Sequence, residues 1–510
     1  MPIPAAARDV DAPGLRFPPS FVWGVATSSY QIEGAVDADG RGDSIWDAFS
    51  RRPGAVARGE SGDPACDHYH RWPQDVELLD QLGVDAYRLS IAWPRIQPEG
   101  RGPVNRKGID FYRRVLSAVR DRGISPFVTM YHWDLPQALE ETGGWRSRDT
   151  ALRFADYAVA LHDELGDLVE NWITLNEPYV SSIVGYGQGR HAPGAREGHG
   201  ALAAAHHLLL GHGLAVTALR DQARPDDRLG ITLNRSPVVG VTDTAADIAA
   251  AARLDCVLNH QFSDPVLGAG YPAELTEIYA GVSDFSFRHD SDLATIAAPL
   301  DFLGLNYYYR IHVSDAPYAE PDPAARNADD LGSDRTHRPA EARRSGLNWP
   351  IEPAGLREVL TGLRDRHATL PPIYLTENGC AYPDPAAKGV PPEHTDEPTE
   401  SAATASPAST TGVAGNDAPD DAERIDFLAE HLAVLREAIA AGIDVRGYFL
   451  WSLLDNFEWA LGYGPRFGIV RVDYDTQQRT PRASFHWYRE LLRAQRSGAD
   501  TEVAESDPTG

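Results

Sequence analysis

The sequence predicts an α/β protein: a single (β/α)8 barrel carrying long surface loop insertions. Three observations predict it. Eight short β-rich runs recur along the chain, most of them preceded by a segment of helical period. The runs are apolar enough to be buried on both faces, as a parallel sheet requires. Many of them end in polar or aromatic residues. Helix alternating with strand builds βαβ units, and eight such units favour closure into a barrel. A doubly wound open sheet is the competing architecture. A length of 510 residues alone would allow two or three domains, but barrels of this class run long as one.

In chain order the strand-like runs are FVWGVATSS, AYRLSIAW, SPFVTMYHW, ENWITLNEP, RLGITLN, DFLGLNYY, PIYLTENG and VRGYFLWSLLDN. A helical segment around Leu78 and Leu82 ends at Gly83. Asn105 is placed to cap a helix whose apolar face is Ile109, Tyr112, Val115, Leu116 and Val119, and Gly123 follows it. Ser147 is placed to cap the next helix, which Gly166 closes. Ile425, Leu428, Leu432, Leu435 and Ile439 mark a later stripe that ends at Gly442. Polar caps at the start and glycine at the end are the usual helix punctuation.

The barrel is expected over residues 17–490. Residues 315–345 are rich in Asp, Ala, Pro and Arg, and residues 383–421 contain no Leu, Ile, Met or aromatic residue. Neither segment can bury enough apolar surface to offset the entropy of ordering. Both read as surface excursions, the second as a disordered loop insertion. The ends, 1–16 and 496–510, read as flexible tails.

Composition narrows the partners. Lys and Arg total 47 against 74 Asp and Glu, a formal charge of −27. Such a surface repels nucleic acid and anionic lipid, so a small-molecule substrate is expected, with no nucleic acid and no membrane partner. Cys66, Cys256 and Cys380 form no CxxC pair and read as buried reduced thiols. The N-terminus lacks a cationic start followed by an apolar run, and no stretch reads as a membrane span of about 18 apolar residues. A cytoplasmic enzyme is the expectation.

In a barrel, chemistry sits at the carboxyl ends of the strands. Here those ends hold Arg88, Ser90 and Trp93; Tyr131, His132 and Trp133; Asn176 and Glu177; Asn306, Tyr307 and Tyr308; Glu377 and Asn378; and Trp451, Asp455, Glu458 and Trp459. Carboxylates, amides and indoles on one rim suit a sugar, whose hydroxyls need paired donors and acceptors and whose apolar face stacks on an aromatic plane. Glu177 in TLNEP and Glu377 in LTENG each end a strand. Paired carboxylates flanking a glycosidic bond are the minimal apparatus for its hydrolysis. Arg88 beside Glu377 would hold it ionised, and a more desolvated Glu177 would keep its proton. Either glutamate taken alone would also suit a helix cap or a salt bridge, the less favoured reading.

FVWGVATSSYQIEG, DHYHRW, YRLSIAWPRI, YHWDLPQAL, TLNEP, GYGQGRHAPG, DFLGLNYY, LTENG and WSLLDNFEWALGYGPRFGIV occur in this order. Over about residues 17–490 the chain thereby resembles the family 1 glycoside hydrolases, the β-glucosidase family, of bacterial type. The resemblance implies a TIM barrel and a retaining mechanism, with Glu177 as acid/base and Glu377 as nucleophile, and it calls for no metal or other cofactor. It assigns Gln31, His132, Trp133, Asn176, Tyr308, Trp451, Glu458 and Trp459 to the glycone site. It assigns Arg88 to the nucleophile's side, Asn306 to a supporting place and Trp349 to the aglycone platform. Glu458, facing the distal hydroxyls, is expected to exclude 6-phosphorylated sugars. The insertion after LTENG is longer than the family's loop and bears on the aglycone entrance.

Other signals carry less. His68 and His70 form an HxH pair with no third ligand at a familiar spacing, and read as structural. His206, His207 and His212 read as packing or solvated residues. The glycines of GYGQG do not form a nucleotide-binding GxGxxG. A non-catalytic sugar-binding barrel is disfavoured by the presence of both carboxylates, and a thioglucosidase by the presence of Glu177. Transglycosylation shares the same intermediate and stays open.

Overall fold

The computed structural model describes residues 8–315, 336–337, 342–382 and 421–505. Eight parallel strands close into a barrel. They are β1 (Val22–Ala26), β2 (Ala86–Ser90), β3 (Ser125–Tyr131), β4 (Asn171–Asn176), β5 (Arg228–Asn234), β6 (Phe302–Asn306), β7 (Ile373–Asn378) and β8 (Val445–Trp451). Each strand lies beside its neighbours in sequence, and β1 pairs with β8, Val22 opposite Gly447 through Ala26 opposite Trp451. That closure removes the open-sheet alternative. All eight expected runs form strands of the one barrel.

Every residue of β2, β4, β6 and β7 is buried, which is why these segments read as continuous apolar runs rather than alternating ones. Phe127, Phe302, Tyr374 and Phe449 meet inside the barrel, with Phe127 4.8 Å from Phe449 and 5.4 Å from Tyr374 between ring centroids. Such a plug leaves space for a ligand only towards the carboxyl ends. Glycine on the neighbouring strand makes room for it. A Cβ on Gly24 would lie 2.3 Å from the Phe449 ring, and one on Gly230 would lie 2.5 Å from Phe302.

The outer layer holds α1 (His68–Leu82), α2 (Arg106–Arg120), α3 (Arg148–Leu165), α4 (Gly198–Arg220), α5 (Ala245–Asp255), α6 (Ala354–Arg366), α7 (Ala422–Ala440) and α8 (Ala483–Glu505). Gly83 ends α1 in a left-handed conformation with φ 74°, and its N–H donates to the Leu79 carbonyl. The stripe Ile109, Tyr112, Val115, Leu116 and Val119 of α2 is buried as expected. Ser147 caps α3 by accepting from the Asp149 N–H.

Some local readings change. Asn105 precedes α2, but its side chain makes no cap; its amide donates instead to the carbonyls of Asp39 (2.9 Å) and Arg95 (3.0 Å). Gly166 ends α3 in a right-handed conformation, and a Cβ there would meet the Arg224 guanidinium at 2.1 Å, so close approach explains the glycine. In α7 Leu428, Leu432 and Leu435 are buried, while Ile425 and Ile439 are half-buried. Helix α4 is long and apolar enough to cross a membrane, contrary to the sequence expectation, and 83% of its apolar window is packed inside the protein. Three buried histidines punctuate it and hid the run. His206 meets Asp292 (2.8 Å) and Tyr271 (3.0 Å), His207 the Trp145 carbonyl (3.0 Å), and His212 the Thr174 hydroxyl (2.7 Å).

The expected tails carry packed structure where they are described. Arg8 pairs with Asp426 at 2.5 Å, the Trp487 indole donates to the Arg8 carbonyl, and Leu15 is buried. Helix α8 continues to Glu505. Residues 1–7 and 506–510, and the insertion at 383–420, lie outside the described residues, as does most of the 315–345 excursion.

Candidate active site

Successive strand residues point to opposite sides of a barrel wall, so only part of each strand end faces the axis. Tyr131 packs outward at 5.3 Å from Trp145, Tyr307 donates to the Glu352 carbonyl, and Trp93 stacks on Tyr157 at 4.7 Å. Asn378 donates to the Tyr307 carbonyl and accepts from the Tyr448 hydroxyl. Ser90 is consumed by Ser29. Asp455 accepts from the N–H groups of Gly468 (3.0 Å) and Val472 (3.3 Å) and from Arg482 (2.7 Å). It is fully buried and braces the loop after β8 rather than opening onto a pocket. These residues leave the candidate set.

The rest converge. Arg88 on β2 donates to Glu377 Oε1 at 2.5 Å through Nη1 and to Asn176 Oδ1 at 2.6 Å through Nη2. Asn306 Nδ2, on β6, donates to that same Asn176 oxygen at 3.1 Å and to Glu177 Oε1 at 2.6 Å. Thr376 holds Asn306 by donating to its carbonyl oxygen at 2.9 Å. A continuous chain of hydrogen bonds thus runs from Glu377 through Arg88, Asn176 and Asn306 to Glu177. The Tyr308 hydroxyl donates to the other Glu377 oxygen at 2.7 Å.

The two carboxyl groups sit in unequal surroundings. Glu377 has a guanidinium and a phenol donating to it. Glu177 is 6% exposed and has only the neutral Asn306 as side-chain donor, so burial, then the nearby Glu377 charge, raise it to about 8. Glu458 is raised to about 8 as well, by burial first and by Glu377 second. His132, enclosed and beside Arg88, is held well below the usual histidine range and is neutral.

An aromatic wall stands over this network. The rings of His132 and Trp459 stack 6.0 Å apart, and those of His132 and Trp451 6.1 Å apart. Trp133 lies 4.5 Å from Trp459, and its indole donates to the Asn176 carbonyl at 2.9 Å. Gln31, in the short helix Ser29–Ile32, donates to Asn456 and to the Phe457 carbonyl, both at 3.0 Å, and reaches Glu458 at 3.5 Å. Trp349 stands further out, half-buried, against Tyr308 (5.6 Å), Tyr309 (4.9 Å) and Phe467 (6.1 Å).

Backbone strain collects here. Trp133 (φ 77°), Glu177 (φ 48°) and Trp459 (φ 52°) all occupy the left-handed region that large side chains avoid. The Glu177 N–H, bonded to the Thr232 carbonyl at 2.9 Å, pins one of these turns. Sequence reasoning missed Trp46 behind Trp459, and it quoted Tyr30 and Phe467 only within motifs. Their aromatic character is visible in the sequence; their placement is not. Among the described residues no group of three or more His, Cys, Asp or Glu side chains is disposed to hold a metal ion. His68 pairs inward with Asp75 while His70 pairs with Asp67 at the surface.

A sequence model of Glycosyl hydrolase family 1 matches residues 14–397 and 406–497. The chain is 45% identical over 490 residues to the thermostable β-glucosidase B of Thermobispora bispora, covering 96% of this chain and 93% of that one. The chain belongs to glycosyl hydrolase family 1. This family 1 member is 43% identical to the bifunctional β-D-glucosidase/β-D-fucosidase of Bifidobacterium breve, with 94% of this chain and 98% of that one covered. Among solved structures it is similar to the Thermotoga maritima β-glucosidase in complex with azafagomine, at 40% identity and TM-score 0.81, over 94% of this chain and 99% of that one. The psychrophilic β-glucosidase of Micrococcus antarcticus is similar at 42% identity and TM-score 0.84, over 94% and 98%. The protein is a family 1 glycoside hydrolase with the closed barrel of its relatives, as its sequence motifs implied.

Proposed function

We propose that this family 1 hydrolase removes terminal β-D-glucosyl residues from cellobiose, short oligosaccharides and aryl or alkyl β-glucosides, with retention of configuration. The observation that carries the reading is the unequal environment of two carboxyl groups joined by one hydrogen-bond chain. The names of its relatives support the substrate class, among them a 1,4-β-D-glucan glucohydrolase of Thermotoga neapolitana at 39% identity.

Glu377, oriented by hydrogen bonds from Arg88 and Tyr308, attacks the anomeric carbon. Glu177 gives its proton to the departing glycosidic oxygen, and the C–O bond breaks as the glycosyl ester forms. Forming the ester removes the Glu377 charge, one of the two main causes raising Glu177. Glu177, now the stronger acid, is left ionised and takes a proton from an incoming water, whose oxygen displaces Glu377. Asn176 Nδ2 carries two hydrogens and its one bond in the free enzyme is to His132, so one donor remains for the 2-hydroxyl. Gln31, His132 and Glu458 offer polar contacts to the other hydroxyls, and Trp133, Trp451 and Trp459 supply apolar planes. Arg88 and Asn306 support the pair, and Trp349 lines the aglycone side. Three free, buried cysteines support a cytoplasmic setting.

Proton NMR of a nitrophenyl β-glucoside digest tests the stereochemistry. The β-anomer of glucose should form first and mutarotate later. First-formed α-glucose would overturn the retaining assignment.

The enzyme should also reject sugars phosphorylated at O6, for a reason that burial modifies. Burial, then the Glu377 charge, raises Glu458 to about 8, which weakens any repulsion of phosphate by its charge. The stronger obstacle is desolvation: burial and the Glu377 charge bear on Glu458, and among the described residues no cation is seen to offset them. A buried phosphate dianion without a paired cation costs several kcal/mol in effective terms. We expect kcat/KM for nitrophenyl β-glucoside to exceed that for its 6-phosphate by about a thousandfold or more at neutral pH, as roughly 4 kcal/mol implies. Equal turnover would overturn this placing of Glu458.

A further inference from the structure

Tyr309 follows the residue that hydrogen-bonds Glu377, yet nothing in the reaction above employs it. Its ring stacks on Trp349 at 4.9 Å and 30°, an offset parallel pair. Trp349 also meets Tyr308 edge-on at 5.6 Å and 63°, and Phe467 in a tilted arrangement at 6.1 Å. Its backbone sits in a tight turn. The Trp349 N–H donates to the Ser345 hydroxyl at 3.3 Å and its carbonyl accepts from the Ser345 N–H at 3.0 Å, while Asn348 takes a left-handed φ of 59°. The turn fixes where the indole starts but not how it rotates about its side-chain bonds. The ring contacts fix that, and among the described residues Tyr309 supplies the one that is both parallel and under 5 Å.

We propose that Tyr309 is a positioning residue for aglycone binding: by stacking on Trp349 it holds the indole against Tyr308 and so presets the surface that receives the leaving group. The proposal rests on the β-glucosidase reading and goes beyond it by naming a determinant of aglycone preference. The orientation of an aromatic platform matters because a stacked partner must meet it face-on. A platform held in place before binding also avoids the entropy of ordering it on binding. Tyr308 touches both Trp349 and Glu377, so a shift of the indole is felt closest to the bond being broken. On the glycone side Gln31 meets Glu458, and His132 and Trp133 meet Trp459.

The test compares donors that differ only in aglycone. In the full-length enzyme, Tyr309→Ala should lower kcat/KM for cellobiose and for nitrophenyl β-glucoside by about three- to tenfold, the worth of one aromatic pair. Most of the change should appear in KM. β-Glucosyl fluoride has no aglycone ring, so its kcat/KM should stay within about twofold of wild type. Tyr309→Phe keeps the stack and should restore wild-type values for all three. An equal loss on the fluoride would show general damage to the site and overturn the proposal. So would unchanged kinetics on cellobiose and the aryl glucoside, or a Phe variant as impaired as Ala. A wild-type enzyme that turned over none of the glucosyl donors would instead refute the β-glucosidase reading itself.

Discussion

In Glu377→Gly, turnover of nitrophenyl β-glucoside should fall by roughly 10⁴- to 10⁶-fold, the scale on which losing a covalent nucleophile is felt. Added azide should restore it as α-glucosyl azide. Glycine removes the carboxylate and leaves a vacancy against which Arg88 and Tyr308 still direct a guanidinium and a phenol. A small anion entering that vacancy reaches the anomeric carbon from the side Glu377 used. Glu177 remains to protonate the leaving oxygen, so one displacement occurs and the product is inverted. The variant also leaves Arg88 buried without its main anion, which costs stability. Glu377→Gln, which retains an acceptor for Arg88, serves as the folding control. Recovery of β-azide, or no rescue of a folded variant, would remove Glu377 from the nucleophile's role.

Glu177→Ala should separate substrates by leaving group. For cellobiose, whose alkoxide cannot depart without a proton, kcat/KM should fall by about 10²- to 10⁴-fold. For dinitrophenyl β-glucoside, whose leaving group needs no proton, the first step should be nearly spared. Hydrolysis of the ester then becomes limiting, because no base activates water, and a burst of phenolate should precede a slow steady state. Azide, needing no base, should accelerate that second step and give β-glucosyl azide.

On the proposed mechanism the same residue should govern pH dependence. Glu177 is raised to about 8 in the free enzyme, and the acid form is the competent one, so kcat/KM on cellobiose should decline as pH rises through that region. The sign follows from the form required: an acid that must hold its proton loses competence above its pKa. Neutralising Glu377 removes a cause that raises Glu177, so Glu377→Gln should shift the titration of Glu177 to lower pH. Carboxyl-labelled NMR of Glu177 in the two proteins would measure it. An unshifted titration would show that the pair does not communicate.

Much of the barrel was legible because its signals are local. A run such as NWITLN needs only its own composition to be read as a doubly buried strand, and a helix such as α2 only its own period. The readings that changed depended on contacts made elsewhere in the chain. Asn105 looks like a cap until Asp39 and Arg95 offer its amide better-placed carbonyls. Asp455 has the same claim on the rim as Glu458, three residues on, until Gly468, Val472 and Arg482 absorb it. Tyr309 reads as one more residue of NYYY, and only the turn from Ser345 to Trp349 brings the indole onto it.

By itself the sequence determined the alternation of helices and eight strands, the two glutamates at strand ends, and the motifs that mark family 1. Each of these is a property of neighbouring residues. Only the tertiary structure decided which strand-end groups face the axis and which carboxyl group keeps its proton. Arg88 of β2, Asn176 of β4, Asn306 of β6 and Glu377 of β7 lie far apart in the chain, and closure of the barrel brings them into one hydrogen-bond chain. A carboxyl group's proton affinity is set by burial and by the charges around it. Those surroundings exist for Glu177 only once the strands have closed around it.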